Sequence, residues 1–311
     1  MRHVHRLEDA ALPGPAIVAV GMFDGVHLGH QYLLRRLVAT AHAQHCVPMV
    51  LTFFPHPDVV LGRAAGRYYL TTPEQRAALL SGMGVECVVT LPFDDQLRQI
   101  RAAAFVDQLL THLKLRELWV GADFALGYKR EGNVDFLRAQ GEQKGFKLEV
   151  VELVTNDGNG QIISSASVRA ALQAGDIETV TRRLSRWYRL EGEVVHGDGR
   201  GRLLGFPTAN MDVWDQQVLP PNGVYAGWAR LKGETFMAVA NIGNRPTFNG
   251  YPVTVEAHLL DFDRNIYDRN LIFDVAAYLR PELKYTTVEA LVEQIGLDVV
   301  QGREILARLK Q

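Results

Sequence analysis

The chain carries almost no cysteine. Of its 311 residues only Cys46 and Cys87 are cysteines, both among apolar neighbours. That excludes a disulfide framework and reads as two reduced core thiols of a cytosolic protein. A basic excess is also missing: 33 lysines and arginines stand against 35 aspartates and glutamates, a formal net charge of -2. Nothing in that balance attracts a nucleic-acid backbone, so any phosphate chemistry has to come from local sites. No apolar run approaches the roughly 18 residues of a membrane-spanning helix, and the start MRHVHRLEDA lacks a signal-peptide core. A P-loop, GxxxxGK[ST], is absent as well. These absences predict a soluble, cytoplasmic protein with no nucleic-acid or membrane partner, and leave its oligomeric state open. With 47% apolar and 22% charged residues, the chain can bury a core in each of two domains.

What is present starts with GMFDGVHLGH, residues 21–30. It follows the apolar run AIVAV and precedes a segment whose Leu33, Leu34, Leu37, Val38 and Ala41 recur at helical spacing. The motif therefore lies in a strand-to-helix turn, where unpaired N–H groups and the helix dipole suit a phosphate. Gly25 and Gly29 allow a tight turn and close approach of a ligand. His27 and His30, three residues apart, can point the same way and stabilise charge on a pentavalent phosphate and a departing pyrophosphate.

From 15 to about 154, short apolar runs alternate with amphipathic helices. Strands are expected at 16–21, 47–53, 86–92, 117–122 and 147–153, and helices at 29–44, 73–82, 101–114 and 133–144. Thr72 before Pro73 is a good helix start. The alternation implies a parallel, doubly wound α/β sheet, with ligands beyond the carboxyl ends of its strands. GMFDGVHLGH, TFFPHP and VGADFALG all fall there. Residues 164–185 read as two short helices broken at Gly175-Asp176. From 188 to about 280, closely spaced short strands with glycine and proline turns suggest a small antiparallel barrel, and a final helix over 287–309 is expected to cover one opening. The boundary is placed between 184 and 185.

The second half has its own cluster: GDGRGRLLGFPTAN at 197–210, PNGVY at 221–225, NIGNRPTF at 241–248 and EAHLLDF at 256–262. The glycines resemble a dinucleotide fingerprint, but the spacing is wrong and no helix is expected after them, so a Rossmann reading is rejected. A glycine-rich loop between strands can still cradle phosphates. Thr208 and Asn210 offer hard oxygen ligands suited to Mg²⁺, and Glu256 is a candidate base for a substrate hydroxyl. Arg200, Arg202 and His258 read as loop, surface or core residues.

Taken together, these motifs resemble the bacterial bifunctional riboflavin kinase and FAD synthetase (FMN adenylyltransferase) family over nearly the whole chain. The resemblance rests on GMFDGVHLGH, TFFPHP, VGADFALG, ISSASVR, GFPTAN, PNGVY, NIGNRPTF, EAHLLDFDRNIY and LRPELKY. It implies two ATP-dependent steps: riboflavin to FMN in the C-terminal barrel, then FMN to FAD with release of pyrophosphate in the N-terminal nucleotidylyltransferase domain. It further implies ATP or phosphate contacts at Gly21, Phe23, Asp24, Gly25, Gly29, Asp123, Ser164, Ser165 and Arg169, and at Gly199, Gly201, Gly205 and Thr208. Flavin contacts are implied at Phe54, His56, Pro57, Asn241, Arg280 and Glu282. His27, His30 and Glu256 would be the catalytic residues, and Thr208 and Asn210 the Mg²⁺ ligands.

The chain departs from the family pattern in the first domain. SSASVR has Ala166 where a threonine hydroxyl is usual and Val168 for isoleucine, and DFALG has Ala125 for an arginine. Lys129 and Arg130 lie in the same loop as Ala125. In the kinase half Asp268 stands where a glycine is frequent. These departures motivate an alternative, a riboflavin kinase with a degenerate nucleotide- or flavin-binding first domain. A different HxGH nucleotidylyltransferase is opposed by GFPTAN and the β-rich half, and an aminoacyl-tRNA synthetase by the lack of a KMSKS-like partner.

Overall fold

Every residue of the run AIVAV is buried, as befits a strand covered on both faces, and a six-stranded sheet forms around it. The protein is described by a computed structural model over residues 1–152, 162–197, 199–244 and 253–309. It divides into two units, Met1–Ser165 and Ala166–Gln311. The first unit runs β1 (Arg2–Val4), β2 (Ala16–Val20), α1 (Leu28–Ala43), β3 (Val47–Phe54), α2 (Pro57–Val60), α3 (Pro73–Gly82) and β4 (Cys87–Pro92). It continues with α4 (Ala102–Leu113), β5 (Leu115–Gly121), a two-stranded ribbon of β6 (Ala125–Leu126) and β7 (Gly132–Asn133), α5 (Val134–Lys144) and β8 (Lys147–Val151).

The sheet order is β1-β4-β3-β2-β5-β8, with every neighbouring pair parallel. Alternate residues of β2 serve two cores. Val18 and Val20 meet Phe105 and Leu109 of α4, while Ile17 and Ala19 meet Leu34 and Leu37 of α1 and Leu80 of α3. This is the doubly wound sheet expected. From β2 the chain steps through β3 to β4 on one side and through β5 to β8 on the other. The order thus reverses between β2 and β5, and the crevice beyond the carboxyl ends there is where such sheets bind ligands. Thr72 caps α3 with a reciprocal box: its Oγ1 accepts from the Gln75 N–H (3.1 Å), and the Gln75 Oε1 accepts from the Thr72 N–H (3.2 Å).

In the second unit α6 (Ser165–Gln173), which begins at the unit boundary, is followed by α7 (Ile177–Leu184), β9 (Tyr188–Val195), α8 (Arg200–Leu203), β10 (Ala209–Val213), β11 (Gly223–Leu231), β12 (Glu234–Asn244), β13 (Val253–Leu259), β14 (Asn270–Arg280) and α9 (Val288–Arg308). The six strands close into an antiparallel barrel in the order β10-β13-β12-β11-β14-β9.

The structure differs from the sequence reading in several places, among them the short α2 and the β6–β7 ribbon, which were not expected. β1 adds a sixth strand to the sheet, three residues long and too short to carry a pattern. Residues 209 and 210, read as the end of the glycine-rich loop, open β10 (Ala209–Val213), which alternates in burial. A one-turn helix, α8, does follow the Gly199 turn. Helix α9 lies along the barrel wall rather than over an opening: its Gly302 sits against Val239 of β12, Ala226 of β11 and Leu279 of β14. Residue 153, the end of one expected strand, lies outside the described residues, as do Asp198 and positions 245–248 of NIGNRPTF.

Candidate functional site

The first site is built on the seven residues between β2 and α1. Three of them have left-handed backbone: Phe23 (φ 50°), Gly25 (φ 78°) and Val26 (φ 41°). For the β-branched Val26 this costs on the order of 1–3 kcal/mol and persists only if neighbours over-determine it. Asp24 does so. Fully buried, its carboxylate accepts from the N–H groups of Leu70 and Thr71 (both 3.1 Å) and from the Thr71 hydroxyl (3.2 Å). The Thr71 oxygen in turn accepts from the Gly25 N–H at 3.3 Å. The carboxylate of Asp24, a residue expected at the phosphate, is thus turned inward and holds the turn. The Ser165 hydroxyl donates to the Asp24 carbonyl at 2.8 Å, tying the start of α6 to the motif.

His27 is the N-cap residue of α1 without using its side chain as a cap. Its imidazole stacks on that of His30, ring centroids 3.7 Å apart and planes 22° apart, and the Phe23 ring lies 5.0 Å from His30 on another side. A Cβ on Gly29 would stand 3.2 Å from the His27 ring, so glycine is needed there for the stack. His30 keeps some surface exposed, but its Nδ1 is buried without a hydrogen-bond partner among the described residues. Burial first, then the nearby His27 and the Arg76 guanidinium, hold His30 well below the ordinary histidine range. Its imidazole is neutral at physiological pH.

The other first-domain residues lie on neighbouring strand ends. Phe54 ends β3, and His56 caps α2, whose first residue is Pro57. The His56 N–H donates to the Tyr69 hydroxyl (2.7 Å), and its Nδ1 accepts from the Asp58 N–H (3.0 Å). Asp123 is exposed just beyond β5, and its carbonyl accepts from Arg130 Nη2 at 2.9 Å. With Ala125 and Asn133 they line one open cleft. Arg169 belongs to the second unit and follows Ser165 by four residues on α6.

The second site is a cross-strand row. Register places Asn210 of β10 opposite Glu256 of β13, and Glu256 opposite Asn241 of β12. Their strand neighbours Ala209, Met211, Val255, Ala257, Ala240 and Ile242 are buried in the barrel, so the polar row faces outward. A Cβ on Gly197 would fall 2.3 Å from the Asn210 amide, and one on Gly201 would fall 2.5 Å from the Phe206 carbonyl and 3.3 Å from Thr208 Oγ1. These two glycines let the loop fold onto Asn210 and Thr208. Gly199 (φ 67°) and Gly205 (φ 84°) bracket the α8 turn.

Glu282 lies across the Gly243 backbone and accepts from the amides of Asn222 (3.1 Å) and Asn241 (3.4 Å). Arg280, expected at the flavin, is engaged elsewhere: Nε and Nη2 grip Asp298 of α9 at 2.8 and 2.6 Å, and Nη1 donates to the Pro281 carbonyl. Its charge anchors α9. His258, two residues beyond Glu256, was passed over in the sequence. Its Nδ1 lies 2.7 Å from the Pro207 carbonyl and its ring meets Phe206 edge-on, so it pins the GFPT turn to β13. The alternation Glu256-Ala257-His258 puts it on the polar face, a signal legible in the sequence.

Thr208, Asn210 and Glu256 supply a hydroxyl, an amide oxygen and a carboxylate, the donor set of a hard divalent cation. No group of three or more His, Cys, Asp or Glu side chains fit to hold a metal occurs among the described residues. A metal here would therefore share its coordination with nucleotide phosphates.

Comparison with known proteins gives the same division. The sequence model of the FAD synthetase family matches residues 9–167, and that of riboflavin kinase matches 184–306. A bifunctional riboflavin kinase/FMN adenylyltransferase from Pseudomonas fluorescens is 39% identical, over 94% of this chain and 93% of the relative. One from Listeria monocytogenes is 36% identical over the same shares, and one from Escherichia coli K12 is 34% identical over 100% and 98%. A solved structure described as a macrolide-efflux protein from Streptococcus pneumoniae superposes with a TM-score of 0.87 at 26% identity, covering 97% of this chain and 98% of that one. Among the described residues no helix is long and apolar enough to cross a membrane.

Proposed function

The chain belongs to the family of bifunctional riboflavin kinase/FMN adenylyltransferases, and from that premise we propose how its residues divide the two reactions. The enzyme is a transferase that phosphorylates riboflavin with ATP to FMN and adenylylates FMN with a second ATP to FAD, releasing pyrophosphate. This is the two-step reading, not the kinase-only alternative. We assign residues 1–184 to adenylylation and 185–311 to the kinase, and place the protein in the cytoplasm, in keeping with its two buried free cysteines.

In the kinase domain Glu256 takes the proton of the ribityl hydroxyl as that oxygen bonds to the γ-phosphorus and the bond to ADP breaks. Thr208 and Asn210 would hold a divalent cation, which we take to be Mg²⁺ and which would neutralise phosphate charge when bound. Asn241 and Glu282 flank the base on the flavin side. In the adenylylating domain an FMN phosphate oxygen attacks the α-phosphorus of ATP and pyrophosphate leaves. His27 and His30, uncharged and pre-stacked, donate hydrogen bonds to phosphate oxygens, with the N–H groups at the start of α1 completing the cradle. Asp123, Ser164 and Ser165 serve the nucleotide, and His56 lies near the flavin phosphate.

The stacked His27–His30 pair on the turn at the sheet's reversal carries this assignment. A chromatographic time course with riboflavin, excess ATP and Mg²⁺ tests it: FMN should appear first and FAD follow. His30→Ala should abolish FAD formation and spare FMN formation, and Asn210→Ala should do the reverse when FMN is supplied. Loss of both activities in either variant would defeat the claim of two separate sites.

A further inference from the structure

Arg76 of α3 is 1% exposed, the largest fully buried side chain in the described structure. Burying a guanidinium is expensive unless its charge is used. Its Nη1 reaches Thr52 Oγ1 at 3.4 Å, and that hydroxyl donates to the Met22 carbonyl at 3.0 Å. Nη2 stands 3.6 Å from Asp24 Oδ1. Nε and Nη2 have no hydrogen-bond partner among the described residues. Arg76 thus touches Thr52 of β3 and Asp24 in the middle of the strained turn at once, yet its fork is only partly satisfied, unlike that of Arg280 with Asp298.

The two imidazoles beside it are packed face to face. Two cations at that separation with one nitrogen buried would repel strongly, so the stack is stable with uncharged rings. The phosphate nest then lacks ionic charge of its own, while the triphosphate it receives is highly anionic. The Arg76 guanidinium, its charge offset in part by Asp24 at 3.6 Å, supplies what the histidines do not, and acts through a medium that screens it weakly.

We propose that Arg76 is a positioning residue of adenylyl transfer: it fixes Asp24 and Thr52 beneath the turn and provides the standing positive charge behind His27 and His30, so that the site works with both imidazoles neutral. This rests on the assignment of the two histidines to the ATP phosphates. The charged groups acting on His30 are His27 from its own turn and Arg76 from α3, with Asp24 of the turn facing Arg76.

The test is the pH profile of FAD formation from FMN and ATP between about pH 5 and pH 9, with riboflavin phosphorylation in the same preparation as internal control. Arg76→Met should lower the neutral-pH rate about tenfold or more, and move the acid limb up by about one pH unit as His30 becomes easier to protonate. Arg76→Lys keeps the charge and should keep the limb where it is. An Arg76→Met limb identical to wild type, whatever the rate, would reduce Arg76 to packing and overturn the proposal. If Arg76→Met fails to fold, Asp24→Asn decides. Loss of the carboxylate leaves the guanidinium uncompensated and should move the limb to lower pH, and an unmoved limb again overturns the proposal. The parent assignment fails differently, through a His30→Ala variant that still makes FAD.

Discussion

Substituting Gly29 by alanine separates the demands of folding from those of the reaction. Gly29 is the second residue of α1, where alanine is favoured over glycine by up to about 1 kcal/mol. The new Cβ would stand 3.2 Å from Cε1 and Nδ1 of His27 and 3.6 Å from the Ile163 carbonyl oxygen. Carbon contacts settle near ~3.5–4.0 Å, so the ring has to yield by several tenths of an ångström. It cannot yield toward His30, already stacked at 3.7 Å. The ring therefore tilts out of the stack, and relief of that overlap cancels most of the helix gain, leaving stability within about 1 kcal/mol of wild type. A 1 Å misplacement of a catalytic group costs about 100-fold, so half of that should cost about tenfold in FAD formation. The assay pairs thermal unfolding with initial rates of both reactions. Unchanged melting and FMN formation with a roughly tenfold loss of FAD formation is expected; full FAD activity would refute the role given to the stack.

Other perturbations follow from buried charges. Asp298→Asn removes the carboxylate that receives Arg280, a pair whose side chains are 4% and 16% exposed; breaking it should cost about 3 kcal/mol. Hydrogen exchange in α9 should accelerate, and unchanged protection there would show that the pair does not anchor the helix. His30 is depressed in the folded protein, so below the unfolded value of about 6.5 the unfolded chain binds a proton the fold refuses. Stability of the first domain should be fully present above that pH and fall as pH drops toward the folded value. His3 is lowered too, so His30→Asn should flatten the slope only in part, and an unaltered slope would count against a buried neutral His30. The Cys87 thiol, pushed up to about 11 by burial, should label only as the protein unfolds; rapid labelling at neutral pH would contradict its 1% exposure.

Most of the fold was legible because its signals are local. The runs that became β2, β3 and β4 are almost wholly apolar, as strands of a covered parallel sheet must be, β5 shows this only from Leu118 on, and Gly175 broke the two helices where expected (φ 77°). What escaped depends on partners distant in sequence. Ala209-Asn210-Met211-Asp212-Val213 alternates in burial, but the proline and glycines before it read as a turn until β9 and β13 pair with it. Asp24 and Arg280 are given to ligands by the family resemblance alone, and the structure adds a protein partner for each. Their partners, Leu70 and Thr71 at 46 and 47 residues and Asp298 at 18 residues, are not foreseeable from spacing. Arg76 had no motif at all, and only its burial exposes it.

The departures from the family pattern carry less weight in three dimensions than in the sequence. Ala125 lacks the usual guanidinium, but Arg130 lines the same cleft beside Asp123. There it donates to a backbone carbonyl at 2.9 Å. The cleft is also lined by Asp123 and Asp135, so Arg130 keeps one guanidinium there against those carboxylates rather than giving the cleft a net positive charge. Ala166 removes a hydroxyl from an exposed position on α6. The neighbouring Ser165 still binds the Asp24 carbonyl and so holds the helix start to the motif. Charge is conserved in the first case by a residue five positions along, and tethering in the second by the residue before. Both substitutions are therefore compatible with an adenylylating site that retains its function.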